Sequence, residues 1–328
     1  MRCSCYRTLL FLPFLVATAG AALAQVHYVT QMNTEQIKAL DRSRTVVLLP
    51  GGILEQHGPY LPSFSDGYFN EWVTQRLAEA IVARPGWRVL IFPTIPLGVG
   101  GANEIGRKHV FSGTYAVRSI TLRSVFMDLA TELGEQGFRW VFIVHAHGAP
   151  NHNRMLDQAG DYFRDMYGGR MVHLMGLMSV GRGRDGSPPE AEKKEDGFSV
   201  HAGTVETSAL MFLRPDLVSP LVHQALAHTG QNWDDLIRLA RAPEWPGYFG
   251  SPRLATAARG AQVLAREAKT AIEYALKILD GSDERKTLRL GDVASKSLPN
   301  VGIDRDAIER EREIQKKQQV WLQKQNLQ

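Results

Sequence analysis

The chain has 328 residues, 44% of them hydrophobic and 22% charged. That mix excludes wholesale disorder and collagen-like or coiled-coil architecture, and the length supplies a sizeable core for one large α/β domain or two small ones. Thirty-eight Lys and Arg against 34 Asp and Glu leave a formal charge of only +4. No block of like charges forms a basic arm, so no nucleic-acid partner is expected.

Residues 1–24 read as a secretory signal peptide. Arg2 and Arg7 form a positive start, Leu9 to Val16 an apolar stretch, and Ala22-Leu23-Ala24 a small-residue cleavage signal before Gln25. Both cysteines, Cys3 and Cys5, fall inside it. The mature chain is therefore expected to have no disulfide, no thiolate metal ligand and no cysteine nucleophile. No later stretch reaches about 18 consecutive apolar residues, the length a spanning helix needs. The expectation is a periplasmic or secreted protein with no membrane attachment after cleavage.

Past the leader, Thr45 to Pro50 is a continuous apolar run ending in Gly51-Gly52, which suits a strand buried on both faces. A helical pattern opens at Asp66, with Phe69, Val73, Leu77 and Ile81 on one face, and Asp66 could cap it. Pro85-Gly86 stops it. Arg88 to Phe92 reads as a second strand. Leu122, Phe126, Leu129 and Leu133 mark a second helix, Trp140 to Val144 a third strand, residues 153–166 a third helix and Met171 to Leu177 a fourth strand. This alternation predicts an α/β fold with a doubly wound, mostly parallel sheet and helices on both faces. Functional groups should gather at the carboxyl ends of its strands.

Gly181 to Phe198 is rich in Gly, Pro, Ser and charge and reads as a long exposed loop, either an active-site flap or a solvated insertion. Residues 205–213 form a short apolar helix, and Leu264, Ala268, Ala271, Ala275 and Leu279 a longer amphipathic one. The tail from Asp304 is polar and helix-prone. It offers too little apolar surface for a core element, though Val320-Trp321-Leu322 could dock on a neighbouring subunit. The chain thus divides into the leader 1–24, one domain over 25–300 and a polar helical tail over 301–328.

Three segments concentrate ionisable groups where this topology expects a site. Gly52 to Pro59, containing Glu55 and His57, follows the first strand and is itself followed by Asp66. His145 to Asn153, containing His145, His147 and His152, follows the third strand. His201 to Ser208, containing Glu206, follows the long loop. Carboxylate and imidazole donors suit Zn²⁺ or Mn²⁺. Glu55 and His57, two apart in an extended loop, point to the same side. A carboxylate such as Asp66 can bridge two ions about 3.5–4 Å apart. The competing reading makes Asp66 a helix cap and Glu206 a first-turn acid favoured by the helix dipole. His173, inside an apolar run, reads as a core or edge residue.

Glu55-Gln56-His57-Gly58-Pro59-Tyr60-Leu61-Pro62 with Asp66 resembles the signature of the creatininase family of amidohydrolases. The resemblance continues through Pro96-Leu97-Gly98, Phe111-Ser112-Gly113-Thr114, His147-Gly148 and His201-Ala202-Gly203 with Glu206-Thr207-Ser208. It implies a three-layer α/β/α sandwich, a homo-oligomer, commonly a hexamer, and hydrolysis of amide-type C–N bonds at a two-metal site. The ions implied are Zn²⁺ and often Mn²⁺ or Fe²⁺. Carried over by position, Glu55, Asp66 and His147 would hold one ion, and His57 with the bridging Asp66 the other. His201 would bind substrate and transfer the proton. Creatininase itself has a glutamate ligand two residues after the strand-end histidine; here that place is Ala149, and Glu206 is the candidate replacement. Gly100 to Lys108 reads as an insertion between two family motifs. The expected substrate is a small amide: creatinine, another cyclic amide, a formamide or a short peptide. Two rivals use the same residues differently. One is a periplasmic binding or assembly protein that has lost the chemistry. The other is a metal-dependent phosphoesterase, which would need Arg107 and Lys108 to hold phosphate.

Overall fold

In the computed structural model the described residues are 25–177, 189–294, 296 and 298–327. The leader, both cysteines and the first part of the Gly181–Phe198 stretch lie outside them. Five strands form one sheet: β1 (Val26–Tyr28), β2 (Thr45–Pro50), β3 (Arg88–Ile91), β4 (Trp140–Val144) and β5 (Arg170–His173). Their order is β1-β3-β2-β4-β5 and every neighbouring pair is parallel.

The apolar run over 45–50 is the centre of this sheet, and all six of its residues are buried. Successive side chains of a strand point to opposite faces, so Val46 and Leu48 enter one core and Val47 and Leu49 the other. The first core is closed by helix α1 (Ser65–Val82), through Val73, Leu77 and Ile81. A later helix on the same side, introduced below, contributes Ala271, Ala275 and Ile278. The second core is closed by α2 (Ser119–Glu135), through Leu122 and Phe126, and by α3 (Pro150–Tyr167), through Leu156 and Phe163. Helices on both faces of a parallel sheet make the expected three-layer α/β/α sandwich. Helix α4 (Thr204–Leu213) packs on α5 (Ala257–Leu279), the source of those three residues. A Cβ added at Gly260 would lie 1.9 Å from the Ser208 carbonyl oxygen, so only glycine permits that approach.

From β2 the chain crosses to β3 on one side, then returns to place β4 on the other. The ends of β2 and β4, where Pro50 pairs with Val144, are the point at which strand order reverses. Open α/β sheets bind ligands there.

Some elements differ from expectation. β1 and the helix Thr34–Lys38 are too short to leave a periodic pattern. α3 starts at Pro150, because proline suits the first helical position, where its missing N–H is no loss. β5 ends at His173 and a 3₁₀ turn follows over Leu174–Gly176. Within the charged stretch read as an exposed loop, Glu190–Asp196 is helical. Glu192 pairs with Arg259 at 2.7 Å, and Asp196 accepts from the Ser251 N–H at 2.8 Å. Helix α6 (Leu298–Lys324) docks by polar contacts. Asp306 pairs with Arg107 at 2.6 Å. Glu311 accepts from the N–H and hydroxyl of Ser119 at 2.9 and 2.7 Å, capping α2. Its far end leaves Trp321 57% exposed.

Candidate metal centre

The loop after β2 carries Glu55 and His57, the first turn of α1 carries Asp66, and the loop after β4 carries His147. The turn into α4 carries His201 and Glu206. The structure brings all six together. Glu55, His57, Asp66 and His201 are at most 6% exposed.

Each histidine is held by one nitrogen and presents the other. His57 Nδ1–H donates to the Glu55 carbonyl at 2.9 Å, leaving Nε2 3.4 Å from Asp66 Oδ1 and 3.7 Å from Glu206 Oε2. His147 Nε2–H donates to the Gly100 carbonyl at 3.0 Å, leaving Nδ1 3.0 Å from Asp66 Oδ2 and 3.3 Å from Glu55 Oε2. His201 Nε2–H donates to the Gln56 carbonyl at 2.6 Å, leaving Nδ1 3.7 Å from Glu55 Oε1. Metal-binding histidines are typically oriented in this way, by donating one ring N–H to a carbonyl. Asp66 turns one oxygen to His57 and the other to His147, the disposition of a bridging carboxylate.

Two groups of potential ligand atoms follow, Glu55–His57–His201 and Glu55–Asp66–His147, each with its atoms within 4.8 Å of one another. Glu55 Oε2 and His57 Nε2 are buried without a hydrogen-bond partner. Such atoms are costly unless something satisfies them, and a carboxylate oxygen and an imidazole nitrogen are donors that Zn²⁺ or Mn²⁺ accepts. The residues fit a divalent ion.

The electrostatics agree. Burial alone would lower the His57 imidazole, but the Asp66 carboxylate 3.4 Å away, with Glu206 and Glu55, outweighs it and raises it to about 10. His147 is likewise lowered by burial but raised overall to about 9 by Glu55 and Asp66. Burial pushes Glu55 up to about 7 against the pull of His147 and His57. Burial also opposes ionisation of Asp66, yet the His147 hydrogen bond and the nearby His57 hold it far below the ordinary carboxylate range. Three clustered carboxylates demand cations: protons on His57 and His147 meet that demand, and a divalent ion can replace them.

The capping role of Asp66 is not realised. α1 begins at Ser65, its N-cap is Phe64, and no side chain caps it. Glu206 lies outside both tight groups, but its Oε2 accepts from the Ala202 N–H at 2.5 Å and faces His57. Ala202 itself is left-handed, at φ 51°, an uncommon conformation for a non-glycine residue. Ala149 is the N-cap of α3. An added Cβ on Gly100 would lie 2.5 Å from the Ala149 Cβ, so the Ala149 methyl packs directly on Gly100. His145 and His152 share the ligand segment but are fully buried and, among the described residues, fall outside both groups of potential ligand atoms. His173 is buried, as read from its apolar run.

Several supporting groups were not singled out from the sequence. The stretch 100–108, read as an insertion, supplies the Gly100 carbonyl to His147 and the Ala102 N–H to Glu55 Oε1. Asn153 Nδ2 donates to the His147 and Ala149 carbonyls, both at 2.8 Å. Arg107 is paired with Asp306, and Lys108 donates to the Ala242 carbonyl. Neither is available to hold phosphate, which removes the support for a phosphoesterase.

Comparison with known proteins agrees with this reading. The family model for creatinine amidohydrolase matches residues 30–275. The chain therefore belongs to the creatininase family, and it is an amidohydrolase of that family. A mycofactocin precursor peptide peptidase from Mycobacterium ulcerans (strain Agy99) is 24% identical over 77% of this chain and 93% of its own length. The creatinine amidohydrolase of Pseudomonas putida is 25% identical over 67% of this chain and 84% of its own. A crystal structure of creatininase superposes with a TM-score of 0.59 at 22% identity, covering 78% of this chain and 98% of that one. A structure described as Creatininase Mn superposes with a TM-score of 0.57 at 22% identity, over 77% and 98% of the two chains.

Proposed function

We propose that this amidohydrolase is metal-dependent and acts outside the cytoplasm on a small amide or a short peptide. The observation that carries this is Asp66 between His57 and His147, with Glu55 Oε2 and His57 Nε2 buried and unpartnered beside it. Glu55, Asp66 and His147 would hold one divalent ion; His57, Asp66 and Glu206 would hold the other. When bound, such ions lower the pKa of a water and polarise the scissile carbonyl. Zn²⁺ and Mn²⁺ are the ions the donor set favours, and a creatininase structure described with Mn supports the second.

The chain's own groups do the rest. His201 commits Nε2–H to the Gln56 carbonyl, so Nδ1 is its free acceptor. Burial holds the ring neutral, well below its ordinary value. At Nδ1 it takes a proton from the attacking water and passes it to the leaving nitrogen. A second role for His201 is favoured by one observation: Nδ1 also groups with Glu55 and His57 as a potential ligand.

The relatives bracket the substrate between creatinine and a peptide. The leader pattern over 1–24 supports export to the periplasm or medium. Exposed Val320 and Trp321 on α6 support assembly as a homo-oligomer. Metal stripping followed by reloading with Zn²⁺ or Mn²⁺ tests the reading on creatinine, other cyclic amides, formamides and short peptides. Hydrolysis that is lost on stripping and restored on reloading is expected. Hydrolysis indifferent to chelation would overturn metal dependence.

A further inference from the structure

The helix that supplies Asp66 carries another buried polar side chain one turn on. Asn70, at 0% exposure, is four residues after Asp66 and so on the same helix face. Its Nδ2 donates to the Gly51 carbonyl at 2.7 Å, and its Oδ1 accepts from the Ala146 N–H at 2.8 Å. One partner only accepts and the other only donates, so the amide orientation is fixed. Gly51 opens the loop to Glu55 and His57, and Ala146 immediately precedes His147. Both lie just past the last paired residues of β2 and β4, Pro50 and Val144. There a side chain satisfies backbone groups that the strand ladder does not.

We infer that Asn70 is a positioning residue of the metal centre: one side chain ties both ligand-bearing loops to the helix that supplies the carboxylate between them. The inference rests on the metal-dependent reading above. His57 and His147 approach Asp66 from two sides, at 3.4 and 3.0 Å. The spacing of those imidazoles follows the spacing of the two loops, and Asn70 sets that spacing at its base. Ligand constellations hold ions only when such supporting contacts fix them to within about half an ångström.

The test compares Asn70→Ala with Thr74→Ala in the full chain. Thr74 is one turn further along α1, similarly buried, and bonds only the Asn70 carbonyl, at 2.7 Å. Metal-stripped proteins are titrated with Zn²⁺ against a chromophoric chelator, and their metal-free melting is recorded alongside. Asn70→Ala is expected to lose about 10–100-fold in Zn²⁺ affinity, as losses of outer-shell partners do, while Thr74→Ala stays within about twofold of the parent. Should Asn70→Ala not fold, Asn70→Ser, which leaves a hydroxyl too short to span both loops, is expected to show a loss in the same direction. Parent-like affinity in the folded Asn70 variant, or an equal loss in Thr74→Ala, overturns the inference and leaves the metal reading standing. A parent that takes up no Zn²⁺ overturns both.

Discussion

His57 and His147 face Asp66 and Glu55 at the strand ends, whereas His145, His152 and His173 lie further in and face one another. The His145 and His152 rings are 5.6 Å apart, and His152 is 5.1 Å from His147. Four of the five are buried and His147 is half-buried, yet their proton affinities diverge. Burial, with the neighbouring imidazoles, lowers His145 to about 3. Burial lowers His173 to about 4, even though its bond to the His145 carbonyl opposes the shift. His57 and His147 instead rise to about 10 and 9. Burial that no close carboxylate outweighs leaves an imidazole neutral; Asp66, 3.4 Å from His57 and 3.0 Å from His147, makes those two part of a cation site.

The largest break in this contrast comes from Asp66→Ala. Its two oxygens serve both outer histidines, so the variant should fold, melt below the metal-loaded parent, and lose metal and hydrolysis together. Circular dichroism, metal analysis and the amide assay check this; full activity with unchanged metal would make Asp66 structural. His201→Ala should lower turnover about 10²–10⁴-fold, the usual contribution of a proton-transfer group, and keep its metal. If the variant loses an equivalent of ion instead, His201 is a ligand.

The pH dependence of metal binding sharpens the contrast further. In the metal-free protein His57 stays protonated up to about 10 and His147 up to about 9. Metal must displace those protons, so Zn²⁺ affinity should rise with pH, by about tenfold per pH unit for each proton released. Calorimetry in buffers of different ionisation enthalpy counts the protons; release of none would contradict the raised values. The smallest effect is expected inside. His145 has both ring nitrogens unpartnered, with Phe126 edge-on at 5.2 Å. His145→Leu removes buried polar atoms that make no hydrogen bond, so stability should change by less than about 1–2 kcal/mol. Thermal melting and Zn²⁺ titration should both stay near the parent.

Much of this was legible before the structure. The central strand shows itself because a strand buried on both faces is apolar throughout, and the Glu55–His57 and Asp66 spacing places three ligand candidates. What the sequence hides is orientation. His145, His147 and His152 share one short segment, and only the turn after β4 decides that His147 faces the carboxylates while its neighbours face inward. Gly100 and Ala102 act through backbone atoms, which no side chain advertises. Asn70 is an unremarkable helix residue until the fold brings Gly51 and Ala146 to either side of it. The polar tail looked too poor in apolar surface to pack, and α6 packs by ion pairs instead.

Anomalous scattering at the zinc and manganese edges, on crystals of the purified full-length protein, tests the central claim most directly. The account predicts one or two peaks within coordination distance of Glu55, His57, Asp66 and His147, about 2.0–2.2 Å from their nitrogens and oxygens. No peak there after soaking in Zn²⁺ and Mn²⁺, with less than about one ion per ten chains in solution, would contradict it.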